Sequence, residues 1–485
     1  MTDPAGGRRL ANATAHHRRV RNRRRVLAAL LGVVALALIF LALQGPGGPA
    51  AAKVGPRLAT PLWSARRVPQ SIVDDVGTQR LQSSLDQSAA GLDACFVVSV
   101  PAGQIAAAGA DTPHIPASTQ KLLTATAALD VLGPEFRYET KAVAAAPPKN
   151  GSIQKLWLVG AGDPGLTTPE AAARLAAAPL TKGDQTTSLK TLAEALVSAG
   201  VHAIPGGIDG DDSRYDVTRY LSVWPDRYRT DREIGPLGAL TVNDGFQGAD
   251  GSGAPASEPA TNAATQLARL LEARGVDVGP VGRGTAPHDP TTIASIKSPP
   301  LTDVLAGFLA SSDNLTGELL VREIAAASGK AGTTANGLAV IAAKLKELKL
   351  ATEHLVMVDG SGLSRDNRAP CSLLLATLEL SGSSRFASIK NGLSIAGERG
   401  TLATRLRGTP LQGKLTAKTG SLSGVAGLAG FINVNLPVTF SLLLNGDFAE
   451  STGIGRREAM ALAIARYPDA PGPDALVPAP ESPTG

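Results

Sequence analysis

The sequence predicts a mixed α/β (α+β) fold in which an antiparallel sheet packs with helices and a further domain is inserted into the first. An apolar strand at Ala94 to Val100 precedes an apolar helical run that begins at Leu122. Two strand-like segments, Val425 to Val434 and Val438 to Leu444, follow one another near the end of the chain. The chain between these regions is much longer than a simple connection requires.

The long middle segment has its own signals of secondary structure. Ile153 to Val159 is strand-like, and Ser188 to Ala199 is helical in composition. A chain of 485 residues has room for two or three domains, so we expect an inserted domain here. The expected organisation is a cytoplasmic basic segment at 1–25, an apolar anchor or signal at 26–43, a linker at 44–70, a catalytic domain at 71–145 and 258–467, an inserted domain at 146–257 and a disordered tail at 468–485.

A serine and a lysine three positions apart open the predicted helix in Ser118-Thr119-Gln120-Lys121. Residues three apart are neighbours on a helix, so the Lys121 amine can reach the Ser118 hydroxyl. A free lysine, with a pKa of about 10.4, is a poor base at neutral pH. A catalytic site must therefore lower this pKa by desolvation or with a second cation, for which Lys418 is the candidate. Taken alone, the segment is better explained as an ordinary surface helix.

Two further short segments follow in the chain. Ser312-Asp313-Asn314, taken alone, is better explained as a cap of the helix predicted at Leu315 to Ala327. Lys418-Thr419-Gly420 suits a receptor for a peptide carboxylate on an edge strand, or a lysine that discourages edge-to-edge aggregation. The three segments in this order supply a nucleophile, a base and a carboxylate-binding cation, which indicates serine acyl transfer.

The chain resembles the D-alanyl-D-alanine carboxypeptidases/endopeptidases of the class C low-molecular-mass penicillin-binding proteins, from about residue 75 to about residue 467. This resemblance implies a penicillin-binding/serine β-lactamase-like transpeptidase fold. It also implies action on peptidoglycan stem peptides and inhibition by β-lactam antibiotics. Matches beyond the three motifs are Leu132-Gly133-Pro134-Glu135-Phe136-Arg137, Gly160-Ala161-Gly162-Asp163-Pro164, Trp224-Pro225, Ser298-Pro299-Pro300-Leu301, Asp359-Gly360-Ser361-Gly362-Leu363-Ser364-Arg365 and Ala396-Gly397-Glu398-Arg399-Gly400-Thr401-Leu402.

The resemblance also implies roles for single residues. Ser118 attacks the substrate, Lys121 takes its proton, and Ser312 relays a proton to the leaving amine. The implied substrate-binding residues are Asn314 for the acyl-side amide, Lys418, Thr419 and Gly420 for the terminal carboxylate, and Ser421, whose backbone amide forms the oxyanion hole with that of Ser118.

The subsite for the stem-peptide side chain is less regular. Some relatives carry an acidic residue shortly after the Trp-Pro pair, where it binds the free amino end of a diaminopimelate side chain. Here the segment runs from Trp224-Pro225 to Asp231, so Asp226 or Asp231 is the candidate acid, and Arg365 is a candidate for the same subsite. Ordinary surface charge is the alternative for these residues.

Positive charge is concentrated at the N-terminus. The formal net charge is +5, but residues 1–25 carry eight arginines against Asp3 alone, so the rest of the chain is slightly negative and a nucleic-acid partner is not expected. Val26 to Leu43 is free of charge and suits a single N-terminal membrane helix with the catalytic domain outside the cytoplasm. A cleaved secretory signal, with Ala50-Ala51-Ala52 as its site, is the alternative. Both interpretations place the enzyme outside the cytoplasm.

The two cysteines do not decide whether a disulfide forms, and the histidines predict no catalytic metal. Cys95 and Cys371 are either a disulfide of an exported protein or two separate buried thiols. The six histidines are dispersed without metal-ligand spacing. Gly160 to Gly165 formally matches the glycine pattern of a dinucleotide fold, but Pro164 interrupts the expected turn into a helix, so no cofactor is expected.

Two other functions compete with the carboxypeptidase/endopeptidase prediction. A serine β-lactamase shares all three motifs, although the length, the anchor and the insert argue against it. A catalytically silent, membrane-anchored peptidoglycan-binding protein keeps the fold without turnover. The sequence leaves the balance between carboxypeptidase and endopeptidase action open, because both present the same type of bond to Ser118.

Overall fold

The computed structural model describes residues 68–469, with side chains from Asp74 onwards. From Pro69 the described chain forms one compact unit. The basic segment 1–25, the apolar segment 26–43, the linker as far as residue 67 and the tail beyond 469 lie outside the described residues. Among residues 68–469, no helix combines the length and the apolar character needed to cross a membrane.

The described chain alternates short strands with helices. The strands are β1 (Asp93–Val100), β2 (Gly103–Ala108), β3 (Pro113–His114), β4 (Glu139–Ala144), β5 (Leu156–Val159), β6 (Leu166–Thr167), β7 (Thr187–Ser188), β8 (Ala203–Ile204), β9 (Ile208–Asp211), β10 (Asp277–Val278), β11 (Val281–Arg283), β12 (Thr291–Lys297), β13 (Ala369–Pro370), β14 (Ser394–Ile395), β15 (Leu415–Leu422), β16 (Val425–Asn433) and β17 (Pro437–Asn445).

The α-helices are α1 (Val68–Ala89), α2 (Lys121–Leu132), α3 (Pro169–Ala177), α4 (Leu189–Ser198), α5 (Arg227–Thr230), α6 (Pro259–Glu272), α7 (Leu301–Ser311), α8 (Asn314–Ala327), α9 (Thr334–Glu347), α10 (Cys371–Leu380), α11 (Ala387–Gly392) and α12 (Glu450–Arg466).

Six strands form an antiparallel sheet in the order β14-β15-β16-β17-β1-β2. β1 pairs with β17, and Cys95 lies opposite Leu443. The strand before the nucleophile helix therefore joins the hairpin formed near the end of the chain. This arrangement confirms the predicted α+β fold with an antiparallel sheet.

Both faces of this sheet are covered by helices. Successive side chains of a strand point to opposite faces, so Cys95 and Val97 of β1 join the core under α2 and α7 to α10, whereas Phe96 and Val98 join the core under α1 and α12. Helix α2 is apolar on all sides and is buried from Lys121 to Leu129. Its position carries Lys121 into the protein interior.

A second sheet of five strands has the order β11-β9-β5-β4-β12. Its core includes leucines of α4 and α6, such as Leu192 and Leu267. β5 and β9 lie inside the predicted insert 146–257, while β4, β11 and β12 come from the flanking chain. The boundaries of the inserted domain stay a prediction.

A disulfide joins the two cysteines that the sequence left undecided. Cys95 of β1 and Cys371, the first residue of α10, are bonded with a Cα–Cα distance of 6.0 Å. Both residues are fully buried. The bond therefore connects the first sheet to the helical layer across 276 positions of sequence.

Candidate active site

The Ser118 hydroxyl lies on a tight turn that leads directly into α2. A short 3₁₀ helix covers Ala117–Gln120. Ala117 has a φ of +46°, which is uncommon for a residue other than glycine. A Cβ on Gly362 would collide with the Ala117 carbonyl oxygen, and a Cβ on Gly420 would lie 2.7 Å from the Pro116 carbonyl oxygen. Two glycines therefore let neighbouring segments close tightly on the turn.

Lys121 is the centre of the polar contacts at this turn. Its Nζ lies 2.8 Å from Ser118 Oγ, 2.7 Å from Asn314 Oδ1 and 2.6 Å from the Ser361 carbonyl oxygen. The Lys121 side chain is fully buried. The structure thus brings together a serine and a lysine from the first motif, an asparagine from the second and a loop that the motifs did not include.

Burial lowers the pKa of Lys121 to about 8, while the neighbouring Asp313 and Asp359 carboxylates oppose this shift. A neutral amine has two N–H groups and one lone pair. Asn314 Oδ1 and the Ser361 carbonyl accept those two N–H groups, so the lone pair is directed at the Ser118 hydroxyl. The geometry suits abstraction of the Ser118 proton.

Lys418 is a second buried lysine near Lys121. It is fully buried on β15, and its Nζ donates to the Thr419 carbonyl oxygen at 3.0 Å. Burial, and after it the charges of Lys121 and Arg457, hold the pKa of Lys418 well below its usual range. The sequence suggested that Lys418 lowers the pKa of Lys121. In the structure, desolvation is the largest cause of the lowered Lys121 pKa. The repulsion between the two amines lowers the pKa of Lys418 instead.

The second motif lies at the junction of α7 and α8. Ser312 ends α7 in the left-handed region, with a φ of +63°, which is uncommon for serine. Asp313 caps α8, accepting from the backbone N–H groups of Leu315 at 3.1 Å and Thr316 at 2.8 Å. The cap predicted as the alternative explanation is therefore present, and Asn314 contacts Lys121 as well. It fixes Asn314 at the first position of α8, facing Lys121.

An open cleft of ≈ 760 Å³ lies in front of Ser118. Gly420 and Lys418 are not among the cleft-lining residues, and Gly420 faces the nucleophile turn instead of the ligand space assumed from the sequence. The predicted site residues that do line the cleft are Ser118, Ser312, Asn314, Thr419 and Ser421.

Arg457 supplies a cation to the cleft that the sequence analysis missed. It is 4% exposed, and its Nη1 donates to the Gly420 carbonyl at 2.8 Å and to Ser421 Oγ at 2.9 Å. Burial lowers its pKa to about 10, so it is charged at neutral pH. Its Nε has no hydrogen-bond partner within the described chain. Arg457 comes from α12, and no local pattern marks it among the other arginines of that helix.

Buried carboxyls behind Lys121 were also missed. Glu318 Oε1 accepts from the backbone N–H groups of Gly360 at 3.0 Å and Ser361 at 2.7 Å. Asp359 accepts from Trp224 Nε1 at 2.9 Å. These contacts fix the loop whose Ser361 carbonyl accepts from Lys121. One sequence signal was available, because Glu318 lies four residues after Asn314 and so on the same face of α8.

The candidates for the side-chain subsite occupy different places. Asp226 and Asp231 are exposed at the ends of α5, and neither lines the cleft. Arg365 is exposed and donates to the Ser423 carbonyl at 2.6 Å, and Ser423 is part of the cleft wall. The acidic residue of this segment that lines the cleft is Glu233, whose carbonyl oxygen accepts from Asn314 Nδ2 at 2.8 Å.

A metal site requires several donor side chains to converge on one point. Within residues 68–469, no three histidine, cysteine, aspartate or glutamate side chains are arranged to hold a metal ion. The chemistry that the described arrangement supports is nucleophilic attack by a serine with a buried amine as base.

The amino-acid sequence matches one family over most of its length. The D-Ala-D-Ala carboxypeptidase 3 (S13) family matches residues 77–250 and 250–467. The chain is 29% identical over 433 residues to the D-alanyl-D-alanine carboxypeptidase of Actinomadura sp. (strain R39), covering 73% of this chain and 77% of that protein. It is 30% identical over 368 residues to a carboxypeptidase of Mycobacterium tuberculosis, covering 73% and 75%.

The fold is similar to that of penicillin-binding protein 4 from Haemophilus influenzae. The TM-score is 0.63 at 23% identity, over 79% of this chain and 99% of that chain. The same protein complexed with a β-lactam has a TM-score of 0.59 at 22% identity, again over 79% and 99%. The match to the family over most of the described residues shows that the chain belongs to the D-Ala-D-Ala carboxypeptidase 3 (S13) family.

Proposed function

We propose that this protein is a serine D-alanyl-D-alanine carboxypeptidase/endopeptidase that acts on peptidoglycan stem peptides through a Ser118 acyl-enzyme and is inhibited by β-lactams. The observation that carries the proposal is the 2.8 Å contact between Lys121 Nζ and Ser118 Oγ, at an amine whose pKa burial lowers to about 8. Family membership supports the same reaction, since the relatives compared above are carboxypeptidases.

Acylation begins with transfer of the Ser118 proton to Lys121. The Ser118 oxygen attacks the carbonyl carbon of the D-Ala-D-Ala bond, and the backbone N–H groups of Ser118 and Ser421 stabilise the oxyanion. Ser312 relays a proton to the amine of the departing D-alanine as the C–N bond breaks. Water then hydrolyses the ester and restores the Ser118 hydroxyl. A β-lactam acylates the same oxygen, and its departing amine stays tethered.

Recognition of the terminal carboxylate falls to the cleft side of β15. Thr419 and Ser421 present their hydroxyls, and Arg457 supplies the positive charge. Thr419 Oγ1 lies 2.8 Å from Thr401 Oγ1, which orients the hydroxyl. Lys418 acts through its proximity to Lys121, and Asn314 binds the acyl-side amide.

The side chain of the stem peptide meets the part of the cleft wall formed by Tyr228 and Ser423. Arg365 belongs to this part, because it donates to the Ser423 carbonyl. Glu233 is better placed than Asp226 to meet a free amino group, since it lines the cleft and Asp226 does not. A cationic or zwitterionic side chain suits this pair of opposite charges.

The enzyme works outside the cytoplasm, held by the apolar segment 26–43 or released after its cleavage. The arginines of residues 1–25 support this orientation. The Cys95–Cys371 disulfide supports it independently, because disulfides persist in oxidising compartments.

Fluorescent penicillin tests the acyl-enzyme directly. Ser118→Ala should abolish covalent labelling, whereas the exposed Ser83→Ala on α1 should label like the wild-type protein. Labelling of intact cells followed by separation of membranes and medium reports where the protein resides. Retained labelling of Ser118→Ala contradicts the proposal.

Product analysis separates the remaining possibilities. Release of D-alanine from defined muropeptides, followed by mass spectrometry, distinguishes an active carboxypeptidase from a silent binding protein. Cleavage of cross-linked dimers reports endopeptidase action. A long-lived penicilloyl-enzyme is expected, and rapid turnover of penicillin would favour a serine β-lactamase instead.

A further inference from the structure

A second cavity, of ≈ 210 Å³, adjoins the active-site cleft and shares Ser311 and Asp313 with its lining. Part of its wall is apolar and includes Leu175, Val304 and Phe308. The rest is acidic, and no lysine, arginine or histidine is among the lining residues. The aspartates of this lining, called the acidic cavity below, are Asp163, Asp184, Asp244, Asp303 and Asp313.

Asp163 lacks a partner for one of its oxygens. The residue is 3% exposed, and its Oδ1 accepts from the Gly165 backbone N–H at 2.9 Å, while Oδ2 is buried without a hydrogen-bond partner. Burial raises the pKa of Asp163 to about 6, and the nearby Thr187 hydroxyl, which itself lacks a hydrogen-bond partner, and the Gly165 N–H offset only part of this shift. An unpaired buried carboxylate oxygen is costly, so it requires an explanation such as a bound ligand.

Two further aspartates of the lining, Asp184 and Asp244, are half-buried. Burial raises the pKa of Asp184 to about 6, and the Asp313 carboxylate adds to the shift. Burial raises the pKa of Asp244 to about 7, and the Asp313 carboxylate is the next cause there. Arg399 offsets part of the shift at Asp184, and Arg174 and Arg232 offset part at Asp244. The lining of the acidic cavity thus holds five carboxyl groups and no basic side chain.

The shape and chemistry of the cavity select the ligand. A metal ion is disfavoured, because the described part of the chain has no three acidic, histidine or cysteine side chains grouped to hold one. An apolar wall beside carboxylates suits an aliphatic chain that ends in a cation. An ammonium donates to several carboxylates without the fixed geometry that a metal demands.

We propose that the acidic cavity binds a primary alkylammonium group, with its nitrogen at Asp163 Oδ2 and its alkyl chain against Val304 and Phe308. The ammonium supplies the missing hydrogen bond and the missing charge together. It belongs either to the side chain of the substrate, which then enters from the adjoining cleft instead of meeting Glu233, or to a free amine. Binding itself does not require Ser118 chemistry, and only the substrate assignment rests on the proposed function.

Calorimetry with n-pentylammonium tests the site, and n-pentanol serves as the neutral isostere. The wild-type protein should bind the amine and not the alcohol. Asp163→Asn keeps the Oδ1 acceptor and should weaken amine binding at least tenfold, whereas Asp289→Asn, at an exposed aspartate outside the cavity, should not change it. Asp184→Asn gives a second variant with an expected loss in the same direction.

Protein folding is monitored by thermal unfolding. Asp163→Asn should melt at or above the wild-type temperature in the absence of amine, because it removes a buried, unpaired carboxylate. Two outcomes would overturn the proposal. One is failure of the wild-type protein to bind n-pentylammonium at millimolar concentration, and the other is equal binding of n-pentylammonium by Asp163→Asn and Asp289→Asn.

Two peptide substrates ending in D-Ala-D-Ala, one with lysine and one with norleucine before the first alanine, identify the source of the amine. A substrate side chain predicts that Asp163→Asn raises KM severalfold for the lysine peptide and leaves the norleucine peptide unchanged. A free amine predicts binding of n-pentylammonium with both peptides unaffected. If the proposed function itself is wrong, penicillin labelling and hydrolysis of both peptides fail, but calorimetry still reports on the cavity.

Discussion

The protonation state of Lys121 decides whether Ser118 can be activated. The amine lies among two acceptors and one hydroxyl, and only the neutral form has a lone pair for the hydroxyl proton. Desolvation makes that form accessible near neutral pH, although Asp313, Asp359 and Glu318 pull in the opposite direction. A single buried position thus converts an ordinary lysine into a usable base.

The acylation rate should therefore rise with pH. With a Lys121 pKa of about 8, the neutral fraction increases about tenfold from pH 7 to pH 9 and then levels off. Stopped-flow measurement of the second-order rate constant for penicillin acylation checks this expectation. A rate constant that is already flat below pH 7 would show that another group accepts the proton.

Glu318 gives a prediction about stability. Burial, reinforced by Asp359, raises its pKa to about 8, so between about pH 4.5 and pH 8 the folded protein holds a proton that the unfolded chain has released. The contribution of this group to the free energy of unfolding is present at low pH and is lost as the pH rises through that window. Glu318→Gln should flatten the pH dependence of stability between pH 5 and pH 8.

Glu318→Ala is the contrasting variant. It leaves the backbone N–H groups of Gly360 and Ser361 without their acceptor, at a cost of about 1–3 kcal/mol for each group that stays unpaired. Denaturant unfolding of both variants at several pH values provides the measurement. Equal pH slopes in Glu318→Gln and the wild-type protein would rule out titration of Glu318 in this range.

At the scale of elements, the site depends on how closely three segments approach the nucleophile turn. β15 approaches it at Gly420, the loop before β13 approaches it at Gly362, and α8 presents Asn314 to Lys121. Helix α12 lies behind β15 and donates Arg457 to it. Gly420, Gly362, Asn314 and Arg457 are therefore explained by these tertiary contacts and not by the secondary structure around each residue.

Gly420→Ala should separate β15 from the nucleophile turn. The new methyl group would lie 2.7 Å from the Pro116 carbonyl oxygen and 3.2 Å from the Thr119 nitrogen, so the backbone must shift. We expect a stability loss of about 1–3 kcal/mol, as for other overpacked sites, and at least a tenfold loss in penicillin acylation.

Gly455→Ala is the matched control for this substitution. Gly455 lies in α12, and nothing is within 4 Å of an added Cβ. Alanine there should stabilise the helix by about 0.5–1 kcal/mol and leave acylation unchanged. Acylation by Gly420→Ala at the wild-type rate would mean that the close approach of β15 is not required.

At the scale of the whole molecule, the Cys95–Cys371 disulfide joins the first sheet to the helical layer that contains α10. The bond closes a loop of 276 residues, and long loops are those for which a cross-link restricts the unfolded chain most. The second sheet contributes a separate core, and the acidic cavity takes residues from α3 and the following loop as well as from α7.

Removing both cysteines should lower stability by about 2–5 kcal/mol. A Cys95→Ala/Cys371→Ala double variant should melt several degrees below the oxidised wild-type protein and close to the reduced wild-type protein. Thermal unfolding with and without reductant makes the comparison. An unchanged melting temperature would mean that the disulfide does not stabilise the folded state.

The sequence by itself determined the local features of this protein. Apolar, strand-like runs predicted β1, β16 and β17, because strand composition is a property of neighbouring residues. The three-residue interval between Ser118 and Lys121 fixed their proximity for the same reason. Family motifs then indicated the chemistry without any knowledge of distances.

Only the tertiary structure decided which polar groups are buried and which face the cleft. It buried Lys418 on β15 near Lys121, brought Arg457 from α12 to the cleft, directed Gly420 at the nucleophile turn, paired Cys95 with Cys371 and enclosed Asp163 Oδ2 without a partner. Burial depends on segments that approach from distant parts of the sequence. Desolvation and long-range contacts are therefore set by packing and not by local pattern.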